Sequence, residues 1–191
     1  GYGARPPTWP WLVQPTRDSA EQVGDEPLLI ASRCQVPLVI DPDRPRAARH
    51  LLEQAPVDVI VSDDGLQHYR LGRTLELVMI DHGRGLGNGR CLPEGPLREP
   101  ASRLREVDLV VRTGATDDSA DGYAMGLQPG ELVNMKTGER VRPDAWSAPP
   151  RVQAVAGIGN PDRFRQTLES LGFLPEVHAF ADHAQYNENS F

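Results

Sequence analysis

Short aliphatic runs that stop at a polar or small residue set the strongest limit on what this chain can fold into. Residues 36–40, 57–61, 75–80, 109–111 and 152–156 are mostly β-branched or aliphatic, and they end at Asp41, Ser62, Asp81, Arg112 and Gly157. Runs this short and apolar suit strands covered on both faces, as in a parallel sheet flanked by helices. The segments between them supply helices. Residues 43–55 place Ala47, Ala48, Leu51, Leu52 and Ala55 at helical spacing. Asp43 caps that helix, and Pro45 falls in the first turn, where a missing N–H costs nothing. Asn160 caps a second helix with Pro161 at its first position, Gly172 as its stop, and Phe164, Leu168 and Leu171 as its buried stripe. Alternating strands and helices predict an α/β fold.

The texture changes over residues 114–150. A polar turn, Asp117-Asp118-Ser119-Ala120-Asp121-Gly122, precedes a small hairpin of residues 131–135 and 139–141 about Lys136-Thr137-Gly138. Pro143 and Pro149-Pro150 follow. The predicted organisation is a first lobe over residues 1–113, a linker over 114–150, and a second lobe beginning at 151 and running to 191. The formal charge of −7 argues against a nucleic-acid partner, whose binding surfaces are usually basic. Of the 20 basic residues only Lys136 is a lysine. Cys34 and Cys91 fit neither a set of paired bridges nor a zinc site, and read as reduced thiols. No stretch approaches the roughly 20 apolar residues needed to span a bilayer, and no signal peptide is visible. The chain opens on Gly1 and reads as a piece of a longer protein.

Four features carry candidate chemistry. The first is Ser62-Asp63-Asp64-Gly65-Leu66-Gln67-His68, directly after the apolar run 57–61. Carboxylates at the carboxyl edge of a parallel strand stand where open α/β sheets bind ligands. Two adjacent carboxylates repel each other unless a cation intervenes, so Asp63 and Asp64 suit magnesium (Mg2+) of the Walker-B kind. A plain Asp-Gly turn is the structural alternative. Second, Gly24-Asp25-Glu26-Pro27 reads most simply as the opening of a helix over residues 28–32, with acids at its N-terminus. A general base is the functional option. Third, the loop from Gly83 to Pro100 is dense in Gly, Pro and Arg but matches no dinucleotide fingerprint. Arg84, Arg90, Arg98 and Arg103 suit an anionic substrate. Fourth, Phe180-Ala181-Asp182-His183 holds a possible Asp–His pair.

In order along the chain, Gly-Tyr-Gly, Gly-Asp-Glu-Pro, Ser-Asp-Asp-Gly-Leu-Gln-His, Arg-Gly-Leu-Gly-Asn-Gly, Leu-Pro-Glu-Gly-Pro-Leu-Arg-Glu-Pro, Gly-Ile-Gly-Asn-Pro-Asp-Arg-Phe and Phe-Ala-Asp-His resemble the tetraacyldisaccharide 4'-kinases of lipid A biosynthesis. The resemblance implies a P-loop NTPase-like, mostly parallel sheet flanked by helices, with part of a smaller second α/β lobe. It implies transfer of the ATP γ-phosphate to the 4'-hydroxyl of an acylated glucosamine disaccharide 1-phosphate, with magnesium, at the cytoplasmic face of a Gram-negative inner membrane. By the same resemblance Asp63 and Asp64 hold magnesium, and Asp25 with His183 forms the base. Glu26, Gln67 and His68 serve the nucleotide and metal region, while Arg98, Arg84 and Asn88 meet the substrate.

The chain departs from that pattern in two places. It contains no Gly-x-x-x-x-Gly-Lys-Ser/Thr, and Ala184 stands where the family usually has a second histidine. The isolated chain is therefore expected to have negligible kinase activity. Two rivals remain at this stage. A metal-dependent glycosyltransferase would use Asp63 and Asp64 on a nucleotide-sugar diphosphate and needs no P-loop. A non-catalytic binding domain would use the acids as turn residues and show no magnesium-linked change in stability.

Overall fold

Of the 191 residues, the computed structural model describes 3–118, 122–146, 148–158 and 160–180. The chain divides into two compact units, Gly1–Met125 and Gly126–Phe191. Both are α/β and both contain parallel strands.

In the first unit, strand β1 (Trp11–Leu12) precedes helices α1 (Ala20–Val23) and α2 (Asp25–Cys34). Strand β2 (Val39–Ile40) pairs antiparallel with β1, so only the last two residues of the apolar run 36–40 form a ladder. Val13, Val23, Ala31 and Ile40 make a small core, against which Ala4, Trp11, Leu28 and Leu38 pack. Helix α3 (Arg44–Gln54) forms as its periodicity predicts, burying Ala47 and Leu51, and the Asp43 carboxylate accepts from Arg46 N at 3.2 Å.

Asp41, directly after β2, is the buried acid among the described residues of this unit. Arg46 grips it with a fork, Nε to Oδ2 at 2.6 Å and Nη2 to Oδ1 at 2.8 Å, and Asp43 N donates to Oδ1 at 2.8 Å. The guanidinium fork holds its carboxyl below the usual carboxylate range, against the opposing effect of burial. A carboxyl depressed in the folded state adds stability above its unfolded pKa of about 4 and loses it as pH falls through the lower folded value. Urea titrations at pH 5, 4 and 3 are expected to show Asp41→Asn about 2 kcal/mol less stable than the native protein at pH 5. The gap narrows toward pH 3; a constant gap would contradict the linkage.

The main sheet has the order β3-β4-β5 with all strands parallel: β3 (Leu77–Asp81), β4 (Leu109–Thr113) and β5 (Tyr123–Met125). Leu77 stands opposite Leu109 and Asp81 opposite Thr113. One expectation is corrected here. Residues 57–61 form no strand, because they have no ladder partner among the described residues, and Val59 and Val61 are 76% and 88% exposed. Strand β5 lies in a stretch whose polar texture hides it. Leu77 and Met79 are also about half exposed, so one face of β3 is open.

In the second unit, β6 (Leu132–Val133) and β7 (Arg140–Val141) form the expected hairpin, whose turn is tied by Asn134 Oδ1 accepting from Lys136 N and Thr137 N. Strand β8 (Arg151–Ala156), helix α4 (Pro161–Ser170) and the parallel strand β9 (Leu174–Ala179) make a β-α-β unit. Asn160 caps α4 by accepting from Arg163 N at 3.2 Å. Strand β8 alternates: Ala154 and Ala156 face inward, while Gln153 pairs outward with Glu176 and His178 across the ladder. Trp146 meets the buried Phe173 edge-on at 5.6 Å, an aromatic geometry favoured by the ring quadrupoles.

Candidate functional site

Ser62-Asp63-Asp64-Gly65 makes a tight turn in which Asp64 takes a left-handed backbone, φ +44°. Aspartate tolerates that region better than most residues. A Cβ on Gly65 would lie 2.6 Å from Ser62 Oγ, so the turn closes over glycine at that position. His68 N donates to Gly65 O at 3.0 Å. The result presents Asp63 and Asp64 side by side to solvent. From the start of α3, Arg44 Nη2 donates to the Asp63 carbonyl at 3.2 Å.

Arg98 converges on the same turn. Its Nη1 donates to Asp64 Oδ1 at 2.9 Å and Oδ2 at 3.1 Å, and to Gln67 Oε1 at 3.2 Å. Gln67 and Arg98 share a groove of about 260 Å³ with Leu66, Asp81 at the end of β3, Leu86 and Glu99. The chemistry on offer is therefore two adjacent carboxylates beside a guanidinium, next to a groove that runs along β3 to Asp81.

Behind the turn lies a set of ion pairs that sequence reasoning missed. Arg73 Nη1 donates to Gly65 O at 2.9 Å and Leu66 O at 2.8 Å, and its Nη2 pairs with Glu76 at 2.7 Å. Glu76 takes Arg103 on its other oxygen at 2.5 Å, and Arg103 Nε lies 3.6 Å from Glu99. Glu99 also accepts from Tyr69 Oη at 2.5 Å and Gln67 Nε2 at 2.7 Å. The Tyr69 hydroxyl, then the Gln67 amide, pull the Glu99 carboxyl below its usual range, and the same Glu99 bond pushes the Tyr69 phenol up. Arg103, expected from its charge to face an anion, is instead mostly enclosed and raised above the ordinary arginine value by its bond to Glu76. The signal for this network was the spacing of Arg73 and Glu76, three residues apart, and the acid in Arg98-Glu99; neither says what it pairs with.

The remaining candidates occupy different places. In the glycine-rich loop Asn88 Nδ2 donates to Glu94 O at 2.8 Å and its Oδ1 accepts from Arg90 N at 3.1 Å, so the amide closes the loop. A Cβ on Gly95 would stand 2.1 Å from that same Oδ1 and 2.3 Å from Arg90 O, which explains the glycine. Arg90 pairs with Glu94 at 2.8 Å. Arg84 is exposed, with its backbone N bonded to Asp81 Oδ1 at 3.0 Å. Asp25 and Glu26 lie exposed in the first turn of α2, where Glu26 N donates to Asp25 Oδ1 at 3.0 Å, and line a separate groove of about 460 Å³ with Leu28 and Leu29. His68 is half-buried beside the Asp63-Asp64 turn. His183 lies outside the described residues. Among the described residues no group of three or more His, Cys, Asp or Glu could hold a metal by itself.

A family model described as tetraacyldisaccharide-1-P 4'-kinase matches residues 1–191. A tetraacyldisaccharide 4'-kinase of Ectopseudomonas mendocina (strain ymp) is 62% identical over 98% of this chain and 56% of its own length. One of Pseudomonas putida (strain W619) is 60% identical over 100% of this chain and 56% of its own length. The chain thus spans a little over half the length of these curated relatives. No solved structure matches it. With the model matched from end to end and relatives at this identity, the chain belongs to the tetraacyldisaccharide 4'-kinase family.

Proposed function

We propose that the full-length protein containing this chain transfers the γ-phosphate of ATP to the 4'-hydroxyl of a tetraacylated glucosamine disaccharide 1-phosphate, with magnesium. The support is the Asp63-Asp64 turn with Arg98 and Gln67 converging on it, in a chain that the family model matches throughout. Phosphoryl transfer asks for positioned cations and an oriented nucleophile rather than covalent chemistry from the protein.

The donor set fits magnesium, which takes one or two carboxylates and fills its other positions with phosphate oxygens and water. Asp63 and Asp64 would hold it there, and it would neutralise charge on the transferring phosphoryl group. A cation at the turn and the Arg98 guanidinium compete for the same Asp64 oxygens, so binding of one loosens the other. Arg98 and Arg84 then serve the anionic substrate, Gln67, His68 and Glu26 the nucleotide and metal region, and Asn88 the shape of the substrate loop. Asp25, with His183, would take the proton of the sugar hydroxyl. With that lipid as substrate, the full-length protein would work at the cytoplasmic face of the inner membrane. No helix among the described residues is long and apolar enough to cross a membrane, so contact of the described part with lipid would be at the surface.

The test is incubation of the full-length protein with ATP, magnesium and the lipid disaccharide 1-phosphate, followed by mass spectrometry of the lipid. Gain of one phosphate, dependent on magnesium, is expected. Nucleotide binding with an unmodified lipid would reopen the binding-domain and glycosyltransferase alternatives. The 191-residue chain alone, with no Gly-x-x-x-x-Gly-Lys-Ser/Thr, is expected to form no product under the same conditions.

A further inference from the structure

Asp64 stands in a turn that needs outside support. Its φ of +44° is a conformation that costs a side-chain-bearing residue free energy unless the surroundings impose it. Its neighbour Asp63 repels it. The residues leading in, 57–61, join no ladder among the described residues, and Val59 and Val61 are exposed. Apolar packing on the incoming side therefore does little to hold the turn; beyond the single bond from Arg44 to the Asp63 carbonyl, the support comes from the outgoing side.

There a closed circuit of charged and polar groups runs from Asp64 back to its own turn. Arg98 joins Asp64 to Gln67, Gln67 joins Glu99, Glu99 joins Arg103, Arg103 joins Glu76, and Glu76 joins Arg73. Arg73 then closes onto the carbonyls of Gly65 and Leu66. The far end is fixed to the sheet: Glu76 N donates to Asp108 Oδ2 at 2.7 Å, and the Glu76 carbonyl accepts from Leu109 N at 3.1 Å, where β3 and β4 begin. The six ionised members alternate in sign; Arg98 and Asp64 at the open end have side chains 61% and 67% exposed, whereas those of Arg73, Glu76, Arg103 and Glu99 are 14% to 19% exposed. Pairs this enclosed, in a network, hold geometry better than isolated surface pairs. One guanidinium meets two consecutive carbonyls through Nη1 and a carboxylate through Nη2; an ammonium has three donors on a single nitrogen and lacks the fork that spans both sets.

We infer that Arg73, anchored by Glu76 and Arg103, is a positioning residue that holds the Asp63-Asp64-Gly65 turn, and with it Asp64 and Gln67, in reacting geometry. The inference rests on the kinase function proposed above. Arg73 touches neither nucleotide nor lipid in this role; it acts through the turn.

The experiment uses the full-length protein and the variants Arg73→Met, Arg73→Lys and Glu76→Gln. Arg73→Met is expected to lower kcat about 100-fold, the scale on which small misplacement of a reacting group acts, with the KM for ATP changed less than about threefold. Arg73→Lys restores only part of the loss, and Glu76→Gln loses about tenfold by freeing the anchor. Because Arg73 acts through the turn, Arg73→Met added to Asp64→Ala is expected to cost little further, whereas a merely structural role would multiply the two losses. Hydrogen exchange supplies a readout independent of activity: the amides of residues 65–69, His68 among them, exchange at least about tenfold faster in Arg73→Met, while β8, α4 and β9 keep their native rates. A kcat within threefold of the native value, multiplicative losses, or native exchange at 65–69 would each overturn the inference. Should Arg73→Met fail to fold, Glu76→Gln decides by the same measurements. Should the native protein leave the lipid unphosphorylated, the proposed function has failed, and exchange at 65–69 still decides whether Arg73 holds the turn.

Discussion

In the full-length protein, Asp64→Asn is expected to lower kcat for lipid phosphorylation about a thousandfold, or about 4 kcal/mol of transition-state stabilisation. The physical reason is charge. In the proposed reaction Asp64 would supply one of two adjacent carboxylates to the cation, and in the structure both its oxygens accept from Arg98. Asparagine keeps the shape and tolerates the left-handed backbone, so its loss of activity reports the missing charge with the turn intact. Asp64→Ala is expected to lose as much activity and also about 1 kcal/mol of stability, because alanine at φ +44° is strained. Initial rates across a magnesium series and thermal melts on both variants separate these effects. Retention of more than a tenth of native kcat by Asp64→Asn at saturating magnesium would remove Asp64 from the site.

Asp25→Asn is expected to cost about 100- to 10,000-fold in lipid phosphorylation, the range of a general base, with the KM for ATP unchanged. Asparagine preserves an oxygen to accept from Glu26 N at the start of α2, as Asp25 Oδ1 does at 3.0 Å, so the helix start survives. What it lacks is the ability to take a proton from the sugar hydroxyl. Parallel measurement of lipid phosphorylation and of ATP hydrolysis without lipid distinguishes the roles. A base for the sugar affects the first far more than the second; equal losses in both would move Asp25 to the nucleotide.

Much of the local structure was legible because it depends on near neighbours. Asp43 and Asn160 cap helices three residues before the amides they bind, Pro45 and Pro161 sit in first turns, and Asn134 ties its own hairpin. The apolar runs at 75–80 and 109–111 became β3 and β4, with Asp81 and Thr113 at the sheet's carboxyl edge. The run at 57–61 was equally apolar and became no strand, since a ladder is a property of two segments and its partner is not among the described residues. The brief β5 was hidden because its pairing with β4 outweighs a polar setting.

The candidate site divides along the same line. The order of residues determined that Asp63 and Asp64 would stand together at a Gly-closed turn after an apolar run, that Asp25 would open a helix, and that the chain carries the family's motifs. Only the tertiary structure decided that Arg98, distant in sequence, would close on Asp64, that Arg103 would be enclosed by Glu76 and Glu99 instead of facing an anion, and that Arg73 would hold the turn by its carbonyls. Charge in a sequence specifies what a side chain can pair with, but the choice among many arginines and acids is made by which pairs the packed backbone brings within about 3 Å and removes from water.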